Sequence, residues 1–259
     1  ILRILDFLLS LVASSKNDTS LIYSLKSIAL WPTGKGERVS MRDIQIPGGF
    51  KDPLSTGKLL ITDNISKNSL DILKDLGVVT LELSSYISVI LPGRLQKALL
   101  TEKESIDLLT QLFAVRKTID LTMFATLSKL KFLFDGNSRI SSPESLCLRT
   151  TELVGLFDGI KSLNFIKDIY QESKTPMKQE RMEFFESLGL TTKFTINMIR
   201  EGWRFVTEPS RLKQFEGKQR DLFSALISFV DSNPDAKEEA RLLFRDANFP
   251  CDCCETLHR

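Results

Sequence analysis

Four groups of residues have types and spacings that could do chemistry. The first is LWPTGKGERV, residues 30–39, where Gly-Lys-Gly follows a short apolar segment as in a phosphate-binding loop. A loop of that kind needs G-x-x-x-x-G-K-[ST], so that backbone N–H groups cradle the phosphates, lysine reaches them and a hydroxyl holds magnesium. Counting back from Gly34-Lys35, Ala29 stands at the first glycine's place and Gly36 at the hydroxyl's place. Both positions fail, and the stretch reads as a hairpin turn in which Gly and Asn supply positive φ.

The second group is CDCCETLHR at 251–259, with Cys251, Cys253, Cys254 and His258 as weak candidate zinc ligands. Structural zinc usually takes C-x₂₋₄-C pairs separated by a loop, because two chelating turns must meet at one tetrahedral centre. C-x-C-C crowds three thiols too closely, and no metal is expected. The third group is the acid pairs Glu102/Glu104 and Glu238/Glu239, which sit in polar helix starts and read as solvated faces. Asp135 and Asp158 precede glycines and read as turn residues. The chain has a single histidine, His258. It has no nucleophile partner, which removes most nucleophile–base enzymes, so the chain is expected to be non-enzymatic.

The fourth group is the stretch 193–220, with seven Lys/Arg against three Glu. Lys193, Arg200, Arg204, Arg211, Lys213, Lys218 and Arg220 interleave there with Phe194, Trp203, Phe205 and Phe215. A nucleic-acid surface would stack bases on the aromatics and neutralise phosphates with the cations. Two amphipathic helices with aromatics inside and cations in water satisfy the same pattern, and that alternative is favoured. If the stretch makes contacts, Arg200, Trp203, Arg204, Arg211 and Lys213 are the residues expected to make them.

What positions these groups is a repeat. SLKSIALWPTGKGERVSMRDI (24–44) overlies TLSKLKFLFDGNSRISSPESL (126–146) at an offset of 102. Leu25 meets Leu127, Leu30 meets Phe132 and Gly34 meets Gly136. A third window, LFRDANFPCDCCETL (243–257), joins through Phe249-Pro250 over Trp31-Pro32. Upstream of each lies an apolar helix candidate, ILRILDFLLSLV, SIDLLTQLFAVRK and RDLFSALISFV, with apolar residues recurring at three and four. Downstream, LKDLGVVTLELSSYI (73–87) overlies FESLGLTTKFTINMI (185–199) at an offset of 112, each with a helix ended by glycine.

One unit therefore reads as helix, short helix, strand, turn, strand, Ser/Pro-rich link, helix, Gly cap, helix. Unit boundaries fall at 1–100, 101–216 and 217–259, the last a truncated third unit. The expected fold class is α+β, predominantly helical, with tandem helical units each carrying a small β-hairpin. Formal net charge is +2, from 35 Lys+Arg and 33 Asp+Glu, which points globally to neither nucleic acid nor an anionic membrane. The most apolar run, ILRILDFLLSLV, carries Arg3 and Asp6 and is too short to span a bilayer, so no membrane partner is expected. Without an initiator Met or basic leader it also does not read as a signal peptide, and the chain reads as an internal fragment. Four cysteines in 259 residues, three of them crowded at the end, fit a reducing compartment.

The pattern resembles the sacsin family of very large chaperone-like proteins. The resemblance rests on Trp31-Pro32-Thr33-Gly34, on PGGF-x-x-P from Pro47 to Pro53, on FLFDGNSRISSPESL, and on the Leu-Gly phrases Leu76 to Thr80 and Leu188 to Thr192. It implies a cytoplasmic scaffold segment lying outside that family's ATPase module, with other chaperones, client proteins, the proteasome or cytoskeletal filaments as partners. The ATPase module of that family carries a DxGxG loop. FDGNS at Phe134 and FDGIK at Phe157 each lack the second glycine. No ATP-binding residue carries over, and no cofactor is expected. A nucleic-acid-binding helical scaffold using 193–220 is the alternative.

Overall fold

The computed structural model describes residues 2–14, 19–33, 36–54, 59–60, 65–160, 163–170, 179–245, 249–250 and 257–258. Helix dominates, with short strands in small sheets, which is the α+β class expected. The chain packs as two compact units, residues 1–132 and 133–259. That packing boundary does not coincide with the repeat boundaries near 100 and 216.

In the first unit, α1 (Leu2–Ser14) and α2 (Thr19–Ser27) lead into β1 (Trp31–Pro32) and β2 (Arg38–Val39). After β3 (Ile46–Pro47) come α3 (Lys67–Asp75) and β4 (Thr80–Leu81). The α1 helix buries Leu5, Leu9 and Val12, one stripe at spacings of four and three. That stripe packs against α3, in one core with Trp31, Ile46, Leu73 and Val78. Ser66 caps α3 by accepting from Ser69 N–H at 3.1 Å, and its own N–H donates to Asp6 of α1 at 3.3 Å.

A composite helix follows: α4 (Leu83–Ser85), a π turn at Tyr86–Ile90, and α5 (Leu91–Lys97). Pro92 has no N–H to give to the turn before it, and Leu91 N–H bonds five residues back to the Tyr86 carbonyl. Then α6 (Glu102–Ala114) opens with a full capping box between Thr101 and Glu104, and α7 (Leu121–Leu127) packs on the π turn. Arg94 of α5 pairs with Glu104 at 3.1 Å. The first helices of the second repeat thus pack back onto the last helix of the first. This is why the repeat boundary near 100 is not a packing boundary.

The second unit holds β5 (Leu133–Phe134), β6 (Ile140–Ser141), α8 (Thr151–Phe157), α9 (Gln179–Ser187), α10 (Ile196–Val206), α11 (Glu216–Ser232) and α12 (Lys237–Phe244). A last hairpin joins β7 (Phe249–Pro250) to β8 (Leu257–His258). Its core gathers Leu153, Phe157, Ile199, Trp203, Val206 and Leu222 from α8, α10 and α11. Here too the third repeat's first helix, α11, packs back on α10, across the boundary expected at 216.

Copies one and two share one backbone ladder. Trp31 pairs with Val39 and Pro32 with Arg38; Leu133 pairs with Ser141 and Phe134 with Ile140. Thr33 N–H reaches the Glu37 carbonyl at 2.9 Å, and Asp135 N–H reaches Arg139 at 2.9 Å. Gly36 N–H returns to Thr33 at 2.9 Å, as Ser138 N–H does to Asp135 at 2.9 Å. Beyond the hairpin, Leu60 N–H donates to Gln45 and Ile166 N–H to Cys147, each at 2.9 Å. Ile46 N–H donates to Val79 at 3.0 Å, and Leu148 N–H to Thr191 at 2.8 Å. Every partner keeps the offset of 102 before the link and 112 after it, except Leu60 and Ile166 within the link. Copy two is longer between β6 and α9, and carries α8 where copy one has the Gly48-Gly49 loop. That loop needs glycine, because a Cβ on Gly48 would stand 2.0 Å from the Leu81 carbonyl oxygen.

Both helices preceding the parallel link end alike. Gly77 at φ +90° and Gly189 at φ +92° turn left-handed, and their N–H groups close on Lys74 at 2.8 Å and Glu186 at 2.9 Å. One expected detail differs. In the second hairpin the positive φ falls on Ser138, at +61°, one residue past Asn137, in register with Gly36 at +76°.

Candidate interaction surface

The α10 helix starts at Thr195, whose hydroxyl accepts from Met198 N–H at 3.3 Å, and buries Ile196, Ile199, Trp203 and Val206. Spacings of three, four and three put these on one stripe, so the remaining positions, Arg200 and Arg204 among them, lie off it. Trp203 is therefore not a contact residue, a correction to the sequence expectation. It is 4 % exposed, with rings of Phe223 and Phe244 at 6.2 and 6.4 Å from its own. At the repeat offset it stands where Leu91 stands in copy one, and Leu91 is fully buried.

The cations of the stretch are largely engaged locally. Arg200 and Arg204 converge on Glu201 at 3.5 and 3.6 Å. Arg211 pairs with Glu208 at 2.7 Å and lies over the Phe205 ring at 4.0 Å. Phe205 in turn meets Phe215 edge-on at 5.5 Å. Lys218 Nζ donates to the Gly155 carbonyl, tying α11 to α8. Lys193, Arg204, Lys213 and Arg220 are exposed, while Arg200 and Arg211 are half-buried. The structure thus brings Arg200, Arg204 and Glu201 together as one charge cluster, with Arg211 in a second, stacked one.

The other chemistry-bearing candidates resolve as structure or lie outside the described residues. Thr33 is buried in the first hairpin, whereas Gly34 and Lys35 fall outside the described residues. Asp135, at the same place in the second hairpin, accepts from Asn137 N–H at 2.9 Å and Arg139 N–H at 2.8 Å. Its carboxylate closes the turn. Glu104 accepts from Thr101 N–H at 2.8 Å. That backbone bond, with the Thr101 hydroxyl and Arg94 guanidinium adding to it, holds its carboxyl below the usual range. Glu238 meets Arg241 at 3.8 Å on an exposed face. Cys251, Cys253 and Cys254 lie outside the described residues. His258 lies on β8 opposite Phe249. Among the described residues no group of His, Cys, Asp and Glu could hold a metal ion. None of the described helices is long and apolar enough to cross a membrane. Cys147 is buried, and that burial pushes its thiol pKa up.

The surface that sequence reasoning missed is apolar. On α11, Phe223 is 43 % and Ile227 49 % exposed, and Leu242 of α12 is also open to solvent. In the first unit Phe7 and Leu11 of α1 are exposed. The signal was available in the repeat: placing α11 on α1 at the hairpin offset sets Phe223 and Ile227 on buried Leu5 and Leu9. Comparison with protein-family models, with curated proteins and with solved structures finds no match to this chain.

Proposed function

We propose that this chain is a non-enzymatic scaffold segment of a large, cytoplasmic, chaperone-like protein of the sacsin type, working through protein–protein contacts. One observation carries the reading: the two hairpin-to-helix modules share a hydrogen-bond ladder while their chemistry-capable residues differ. Thr33 and Asp135 occupy one position and both hold a turn. Selection for a turn tolerates that exchange, whereas a phosphate site would not tolerate a carboxylate for a hydroxyl. Repeated modules that pack back on one another build long faces for partners. The resemblance in Trp31 to Gly34, Pro47 to Pro53 and 132–146 supplies the family. The aromatic Trp203 is buried and Arg200, Arg204 and Arg211 face carboxylates, which argues against the nucleic-acid alternative.

The test is client protection. Light scattering of a heated model client, citrate synthase, should rise more slowly with an equimolar amount of the full chain, with or without ATP. No slowing would overturn the proposal. So would fluorescence anisotropy showing a salt-dependent affinity for labelled RNA or DNA, or titration heat with ATP and magnesium that Lys35→Ala removes.

A further inference from the structure

Both complete copies cover the first strand of their hairpin with an extended piece of the link. In copy one, Leu60 bridges Thr33 antiparallel and Leu59 bridges Gln45 parallel, so the link runs between β1 and β3. In copy two, Ile166 bridges Asp135 antiparallel and Phe165 bridges Cys147 parallel. With β4 or Thr191 beyond, the order in each is second hairpin strand, first hairpin strand, link, parallel pair. The link thus sets two consecutive apolar residues in mid-sheet. The second of them is buried both times, Leu60 at 2 % and Ile166 at 0 % exposure.

The third hairpin has the first two strands of that order. Phe249 pairs with His258 and Pro250 with Leu257, as Trp31 does with Val39 and Pro32 with Arg38. Proline has no N–H, so the ladder bonds fall on Phe249 and His258, and the Pro250 carbonyl turns to the far side. At the matching place in copy two, the Phe134 carbonyl accepts from Lys167 N–H of the link at 2.9 Å. Phe134 N–H donates the same way, to the Tyr170 hydroxyl at 3.0 Å. Pro32 and Pro250 have no such N–H to satisfy, so the link of copy one, KLLITDN without a tyrosine, is the form that suits β7. Among the described residues β7 pairs with β8 alone.

We propose that the outer edge of β7 is a strand-addition site whose occupant is an extended segment with two consecutive apolar residues. The segment runs antiparallel to β7 and gives one N–H to the Pro250 carbonyl. Main-chain bonds supply affinity in this mode, and the apolar pair supplies register and selectivity. The inference rests on the repeat and stands apart from the scaffold reading.

The experiment uses the full chain with residues 41–82 repeated directly behind Arg259. His258 stands at the Val39 place, so this join reproduces the connection of copy one. Hydrogen exchange at the Phe249, Leu257 and His258 amides is compared with the chain carrying the same 41–82 residues in scrambled order. Exchange should slow at least about tenfold, because an added strand raises the cost of opening the hairpin. Leu60→Asp in the appended segment alone should abolish the slowing, by placing a charge at the buried link position. Ile61→Pro there should do the same, since Ile61 stands at the Lys167 place and proline has no N–H for the Pro250 carbonyl. Both changes lie in the appended segment, so the parent chain keeps its own sequence. No slowing, or slowing that survives either substitution, overturns the proposal. Slowing in the unmodified chain that grows with its concentration also overturns it, by assigning the edge to a second copy.

Discussion

Between 31 and 81 and between 133 and 193, the hairpin and the parallel link share one hydrogen-bond ladder carried by different side chains, and the differences separate what the module requires from what it merely tolerates. Both keep hairpin register, a bridge from the link and a parallel pair after the Gly-ended helix. Trp31 gives way to Leu133, Leu73 to Phe185 and Leu91 to Trp203, all fully or almost fully buried. Volume lost at one position reappears at another, as expected of cores that hold total volume and pattern rather than identity. Polar exchanges follow a stricter rule. Thr33 and Asp135 differ in charge, yet each hydrogen-bonds to the turn it belongs to, because a buried polar atom without a partner is costly.

The largest way to break the correspondence is to empty its matched core sites. Trp203→Ala should cost about 3–5 kcal/mol and Leu91→Ala about 2–5 kcal/mol, read by urea unfolding. A Trp203 variant that folds normally while losing a partner would restore Trp203 as a contact residue. Next comes the turn: Asp135→Ala should cost about 1–3 kcal/mol by leaving two backbone N–H groups unsatisfied. Thr33→Val should cost less, since a single 3.3 Å bond is lost.

A smaller effect separates the helix starts. Thr101→Ala should destabilise α6 by about 1 kcal/mol. Because Glu104 has a folded pKa below its unfolded one, its contribution is fully present above the usual carboxylate value. That contribution drains away as pH falls through the lowered folded value. Thermal unfolding between pH 6 and 3 should therefore show a shallower loss in Thr101→Ala than in the parent. The smallest effect is Ser138→Gly, which brings the second turn to the state of Gly36. Relief of the positive φ should raise stability by about 0.5–1 kcal/mol in the same unfolding assay.

Much of this was legible along the chain, for identifiable reasons. Periodicity exposed α1, α6 and α11, because a helix that buries one stripe must repeat its apolar residues at three and four. Glycine marked the ends of α3 and α9, because the left-handed turn there excludes most other residues. Trp203 was harder to place, since an aromatic among arginines is written alike for a stacking surface and for the inner stripe of an amphipathic helix. The Arg204–Glu201 pair was also out of reach, as such neighbours meet only if the segment is helical, and the Arg211–Glu208 pair forms in the turns between α10 and α11.

The sequence by itself determined the module: its order, its offsets of 102 and 112, its hairpins and its helix ends. These are local, each set by a few neighbouring side chains and the dihedrals they allow. Only tertiary structure decided which residues of each first helix are buried. The parallel link that pairs Ile46 with Thr80 and Cys147 with Thr191 was likewise its decision. Both depend on residues distant in the chain meeting in space, and a helix with apolar residues on more than one side carries no local mark of which side finds its partner.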